Sequence, residues 1–230
     1  ITIPIGSIVG GLMAGYNAMM VIMNTIPVFI IAVILIIGLK FAPNKTMKGC
    51  LYFGNVVVVV ITVGLVAAAF EYMTGIVLIP GMAPIEEAMN MIGTIAVVLL
   101  GTFPVLHLLT KILDKPLTAI GTKIGMDAVS TAGMIFSMAN SIPVFKTMSD
   151  MTSKGKIINI AWMVCVAGAL GDHLGFTAGV HPEAILPVVL SKIIGGIVAV
   201  ILTLVLVKDT SAEDAESKRI EQEEIKKQNG

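Results

Sequence analysis

Asp172 and His173 stand side by side in an apolar run, Ile157 to Val180, between Gly171 and Gly175. The run is long enough to cross a bilayer. An ionisable side chain at that depth costs at least about 2.5–3.5 kcal/mol on insertion scales, so it faces protein or a wet cavity and serves a pathway. The pair points to movement of something across a membrane, or to chemistry within one.

Read as one helix of 3.6 residues per turn, the run puts Asp172 on a stripe with Ala161, Cys165, Gly168, Gly175 and Gly179. Small residues at that spacing admit a close neighbouring helix, so Asp172 is expected to face protein. His173 falls on a second stripe with Asn159, Trp162, Val166 and Phe176. That stripe either lines a cavity, with Trp162 offering a ring face to a cation, or simply packs. Lys192 lies about as far after the His181-Pro182-Glu183 turn as Asp172 lies before it. At 1.5 Å per residue both are roughly 13–15 Å inward, which predicts a buried Asp172–Lys192 pair with lysine as counter-ion. Such a pair is weak evidence of stability, so a structural bridge and an exchangeable cation site both stay open.

Further polar groups cluster between Gly125 and Met148: Asp127, Ser130, Thr131, Ser137, Asn140 and Ser141. Ser130, Ser137 and Asn140 or Ser141 fall close to one helical face, where they either line a cavity or satisfy helix backbone. An echo links this stretch to the start of the chain. Asn24-Thr25-Ile26-Pro27-Val28-Phe29 recurs as Asn140-Ser141-Ile142-Pro143-Val144-Phe145, and each is followed by a basic turn, Thr46-Met47-Lys48-Gly49 and Thr152-Ser153-Lys154-Gly155. Proline lacks an N–H and frees a carbonyl one turn earlier. Asn24 and Asn140 are therefore expected at paired helix interruptions, of the kind that form midplane binding sites in transporters built from repeats.

The elements that must position these residues are helices. The chain is 56% hydrophobic, only 13% charged, and has a mean hydropathy of +0.96, well beyond a soluble domain. Spans of about 20 apolar residues are expected at Ala18–Phe41, Gly49–Phe70, Ala88–Lys111, Ile157–Val180 and Ala184–Val207, with a partial one ending near Tyr16. Lys40, Lys45 and Lys48 mark one loop as cytoplasmic, and Lys111, Lys115 and Lys123 another. The loop from Glu71 to Glu87 has no basic residue and reads as external. Lys146, Lys154 and Lys156 are again cytoplasmic, which makes Gly125–Phe145 a re-entrant hairpin. The rival is one more crossing and an external tail.

Residues 1–207 thus form an all-α, polytopic transmembrane domain. Residues 208–230, with five Lys/Arg and seven Asp/Glu, form a charged, disordered cytoplasmic tail. Ile1 opens inside a hydrophobic segment, so an amino-terminal part of a longer protein is expected to be missing. The zero net charge gives no case for nucleic acid. Cys50, Cys165 and the three histidines show no metal or disulfide spacing, so no metal and no cofactor are expected. Glu86 and Glu87 suit a helix N-terminus, and the methionine stripes suit packing.

Gly171-Asp172-His173-Leu174-Gly175-Phe176, Ala139-Asn140-Ser141-Ile142-Pro143 and Ile3-Pro4-Ile5-Gly6 resemble the ethanolamine permease family of ethanolamine-utilisation operons. The resemblance covers nearly all of Ile1–Val207. It implies a multi-pass protein of the bacterial inner membrane that imports ethanolamine for degradation by a lyase, and family members longer at the amino terminus. It implies no residue roles, which rest on the chemistry above. Ethanolamine is a small protonated amine with one hydroxyl. Asp172 and His173, with Asn140, Asn24, Ser137 and Trp162, form the expected site. The rivals are an ion-coupled carrier for another small amine or amino acid, and an intramembrane hydrolase using Asp172, His173 and Ser191 or Ser141. No recognisable nucleophile motif surrounds either serine, so no enzyme is expected. Self-association is left open.

Overall fold

The computed structural model describes residues 1–207 and 210, and every described element is helical. The helices are α1 (Thr2–Met13), α2 (Ala18–Phe41), α3 (Pro43–Thr74), α4 (Ile85–Lys123), α5 (Ala128–Ala139), α6 (Ile142–Thr147), α7 (Ser153–Val166), α8 (Asp172–Val180) and α9 (Ile185–Leu206). The tail expected over 208–230 lies outside the described residues, apart from Thr210.

α2 has the expected bounds. α3 and α4 outrun theirs. Pro43 begins α3 at a position where a missing N–H costs nothing, and Glu86 and Glu87 sit in the first turn of α4. α2, α3 and the stretch Pro182–Leu206 are each long and apolar enough to span a membrane. Side chains such as Ile34 and Val60 are more than 60% exposed, as lipid-facing residues are.

One expected span is not a single helix. Ile157–Val180 breaks over Ala167–Gly171 into α7 and α8. Gly168 takes φ +68°, a conformation that an L side chain rarely adopts. A Cβ there would also run into the Asp172 carboxylate. The stripes drawn through the break therefore do not exist, because α8 is not in phase with α7.

The hairpin is closed at its mouth. Asp127 caps α5, its carboxylate accepting from the Ser130 amide at 2.8 Å and hydroxyl at 2.6 Å. The same carboxylate accepts from the Thr152 amide at 3.0 Å and hydroxyl at 2.8 Å, and Thr152 in turn caps α7. One side chain thus ties the start of α5 to the start of α7, so the segment between them enters and returns at one end of the molecule. Partial burial raises the Asp127 pKa, but the hydrogen bonds from Ser130 and Thr152 outweigh it and bring the value down to about 2.

Inside, α5 is stapled to α7. Asn159, fully buried, donates to the carbonyls of Ser130 at 2.7 Å and Gly155 at 3.0 Å, and the Trp162 indole donates to Met134 at 2.9 Å. α9 closes over this core, with Gly196 against Trp162 and Val166 and Gly195 against Cys165. α1 packs on the next face of α9, Gly6 against Ser191 and Gly10 against Pro187 and Ser191. Small residues let these backbones approach closely.

Candidate functional site

The two interrupted helices cross at their breaks. The Gly168 amide donates to the Ser137 carbonyl at 3.1 Å, and the Leu170 amide to the Met138 carbonyl at 2.8 Å. The break in α7–α8 thus takes up carbonyls that the end of α5 leaves free. The next carbonyl, Ala139, loses its helical donor because Pro143 has no N–H, and it abuts the Cα of Gly171 so closely that a Cβ would not fit.

A cavity of about 380 Å³ opens at this crossing. Its polar lining is Asn140 and Ser141 from the hairpin and Asp172 and His173 from the first turn of α8. A second cavity, about 420 Å³, lies between α8, Ile95 of α4 and Val188 of α9, and it too is lined by Asp172 and His173. The Asp172–His173 pair therefore stands between two cavities.

The expected Asp172–Lys192 bridge is replaced by another contact. The Lys192 ammonium lies 2.9 Å from Nδ1 of His173. With lysine donating, the neutral imidazole carries its proton on Nε2. The Asp172 carboxylate accepts from the His173 backbone amide at 3.0 Å. Asp172 is also exposed, not buried against a helix stripe. The cause is the break. α8 leaves the line of α7 and packs on α4 through Gly175 against Ile95 and Gly179 against Thr94, which turns its first residues to the cavity mouths.

The other candidates separate. Asn140 lines the crossing, where its Oδ1 accepts from the Ile142 amide at 2.9 Å. Ser137 is fully buried and donates to the Met134 carbonyl at 2.8 Å, and Trp162 is packed with its indole N–H satisfied, so neither side chain lines this cavity. Asn24 is not at an interruption, since α2 runs unbroken through Pro27. It lines a separate cavity of about 320 Å³ between α1 and α2, with Ser7, Tyr16 and Thr25. Two features escaped the sequence reading. The Asp127–Thr152 clamp is signalled by helix-cap residues before both helices, and the Ala167–Gly171 break by its two glycines. Among the described residues no three of His, Cys, Asp and Glu group as metal ligands would.

An all-helical, multi-pass membrane protein whose polar residues gather where two interrupted helices cross is the class these features define. Within that class the chain belongs to the ethanolamine utilisation protein EutH family, which it matches over residues 1–206. It is 47% identical to a Listeria monocytogenes protein named "Probable ethanolamine permease EutH", over 87% of this chain and 54% of that one. Proteins of the same name from Escherichia coli and Salmonella typhimurium are 39% and 40% identical, over 97% and 93% of this chain and 60% and 58% of theirs. The chain thus spans little more than half the length of these relatives. No solved structure matches it.

Proposed function

We propose that the protein is a permease of the bacterial inner membrane that imports ethanolamine for catabolism, and that it is not an enzyme. The observation that carries this reading is the cavity at the helix crossing, where a carboxylate, an imidazole, an amide and a hydroxyl converge from Asp172, His173, Asn140 and Ser141.

Ethanolamine needs one acceptor set for an ammonium and one polar partner for a hydroxyl. Asp172 supplies the charge, strengthened by the low dielectric of the surroundings. Asn140 and Ser141 supply groups that both donate and accept. Lys192 is the resident counter-ion: a primary ammonium resting on His173 that yields as the substrate ammonium arrives. Alone, a carboxylate between two cavities in a membrane would be costly, and a cationic cargo with a movable lysine removes that cost during transport.

Uptake of labelled ethanolamine into proteoliposomes containing the full-length protein tests the reading, with product analysis in detergent as the control. Saturable uptake without chemical change is expected. Absence of uptake by folded protein, or appearance of a reaction product, would reject it.

A further inference from the structure

The start of the chain carries a second copy of the helix–turn–helix that opens the hairpin. Gly11-Leu12-Met13-Ala14-Gly15-Tyr16-Asn17-Ala18 and Gly121-Thr122-Lys123-Ile124-Gly125-Met126-Asp127-Ala128 are offset by 110 positions. Both end a helix on a left-handed glycine, φ +82° at Gly15 and +79° at Gly125. Both close with the same bond, Tyr16 amide to Gly11 carbonyl at 3.1 Å and Met126 amide to Gly121 carbonyl at 2.8 Å. Both then cap the next helix with an Asx side chain, Asn17 on the Met19 amide and Asp127 on the Ser130 amide. The packing repeats as well. A Cβ on Gly11 would stand 3.4 Å from Cβ of Val21, and one on Gly121 would stand 3.3 Å from Cβ of Thr131, again 110 positions on.

The two copies point in opposite directions. α9 runs antiparallel to α1, because Thr2 meets Gly195 while Gly10 meets Pro187. It also runs antiparallel to α7–α8, because Cys165 meets Gly195, His173 meets Lys192 and Phe176 shares a cavity with Val188. The turn at Gly15 therefore lies at the His181 end of the molecule. The turn at Gly125 lies at the other end, where Lys154 and Thr152 begin α7.

Each copy leads to the shared hexapeptide, at a different distance. Asn24 is seven residues past its cap, about 10 Å along a helix, and Asn140 thirteen past its own, about 20 Å. Entered from opposite faces of a core about 30 Å thick, those depths coincide. The cavities agree. Ser7 lines both the Asn24 cavity and one of about 220 Å³ that contains Ser191 and Lys192, and Lys192 reaches His173 at the Asn140 cavity.

We propose that α1–α2 and α4–α5 are an inverted pair of access hairpins, and that Asn24 provides a second station for the same small hydroxylated amine, approached from the His181 face, with Lys192 as the barrier between it and the Asn140 station. The proposal rests on the transport reading, and its test separates the two. Single cysteines replace the equivalent exposed residues Met13 and Lys123, or as a second pair Leu12 and Thr122, in full-length protein whose other cysteines, Cys50 and Cys165 among them, are replaced by serine. An impermeant maleimide added to intact cells is expected to label M13C and L12C, and to reach K123C and T122C only after permeabilisation. Labelling of both members of a pair from one side overturns the inversion. In separate variants, N24C and N140C are labelled with and without excess ethanolamine. At least threefold slowing at both positions is expected, and slowing at N140C alone overturns the second station. Uptake by the parent protein is measured in parallel. No uptake together with opposite-sided labelling would discard transport while leaving the inversion standing.

Discussion

The ammonium of Lys192 rests on Nδ1 of His173, 2.9 Å away, and leaves the neighbouring Asp172 carboxylate facing the cavities. A carboxylate locked to its own lysine would have little left for a cation from outside. Parked on an imidazole, the lysine stays near enough to interact with the Asp172 charge, and under the proposed transport function it is displaced by the arriving cation.

Replacing Lys192 by methionine keeps the length of the side chain and removes the competitor. Lys192→Met is expected to lower KM for ethanolamine about three- to tenfold, in line with a gain near 1 kcal/mol, and to lower kcat because the bound cation is no longer pushed out. Initial-rate uptake over a concentration series reads both constants. A raised KM would mean that the lysine helps to hold substrate.

Asp172→Asn removes the charge and keeps the shape. Hydrogen bonds to charged groups contribute about 1.5–3 kcal/mol, so KM is expected to rise roughly ten- to a hundredfold. Stability should change little, because Asp172 is exposed in the first turn of α8 and a helix N-terminus favours a carboxylate by only about 0.3–1 kcal/mol. Uptake kinetics together with thermal unfolding in detergent check both halves.

Asp127 should behave in the opposite way, as a stability residue. Its pKa is lowered from 3.8 to about 2, so its charged form is favoured by folding. The stabilisation is complete above pH 4 and is lost as pH falls through about 2. Asp127→Asn is expected to flatten acid unfolding across that window. Asp127→Ala, which removes the cap on α5 and the tie to Thr152, should cost about 1–2 kcal/mol at neutral pH. Unfolding followed by circular dichroism from pH 2 to 7 provides the measurement.

Much of this fold is written in apolar length. α2 could be bounded to the residue because its lipid-facing run stops at Lys40 and Pro43. The break between α7 and α8 was hidden by the same property. Ala167-Gly168-Ala169-Leu170-Gly171 is apolar and fits a membrane helix as readily as it fits a break. A helix continuous through these residues has a different phase in α8, and phase decides whether Asp172 or His173 meets Lys192. Trp162 and Ser137 look like site residues by type. Their polar atoms are instead committed to the Met134 carbonyl, a demand that becomes visible only when α5 lies against α7. For Asn24 and Pro27 the echo in sequence was real, but proline alone does not open a helix whose remaining bonds are intact.

Gly168 tests whether the break itself matters. Gly168→Ala must place a methyl group against the Asp172 carboxylate at a backbone of φ +68°, and the left-handed conformation alone costs about 1–2 kcal/mol. The expected outcome is a folded but destabilised protein in which Asp172 is displaced and ethanolamine KM rises at least tenfold. A thermal-shift measurement combined with uptake distinguishes this from simple unfolding. Wild-type kinetics would show that the carboxylate does not depend on the break.

Asn140 should read the hydroxyl of the substrate. Its side chain lines the crossing cavity and already accepts from the Ile142 amide, which leaves the amide NH2 to donate and a second lone pair to accept. A neutral hydrogen bond contributes about 0.5–1.5 kcal/mol, a factor of roughly two to thirteen in affinity. Asn140→Ala is therefore expected to raise KM for ethanolamine by that factor and to leave inhibition by ethylamine, which has the ammonium but no hydroxyl, unchanged. Competition uptake with both amines makes the comparison within one preparation, so that any general loss of folded protein cancels. Equal losses for the two amines would mean that Asn140 only shapes the turn between α5 and α6, and would move hydroxyl recognition to Ser141 beside it.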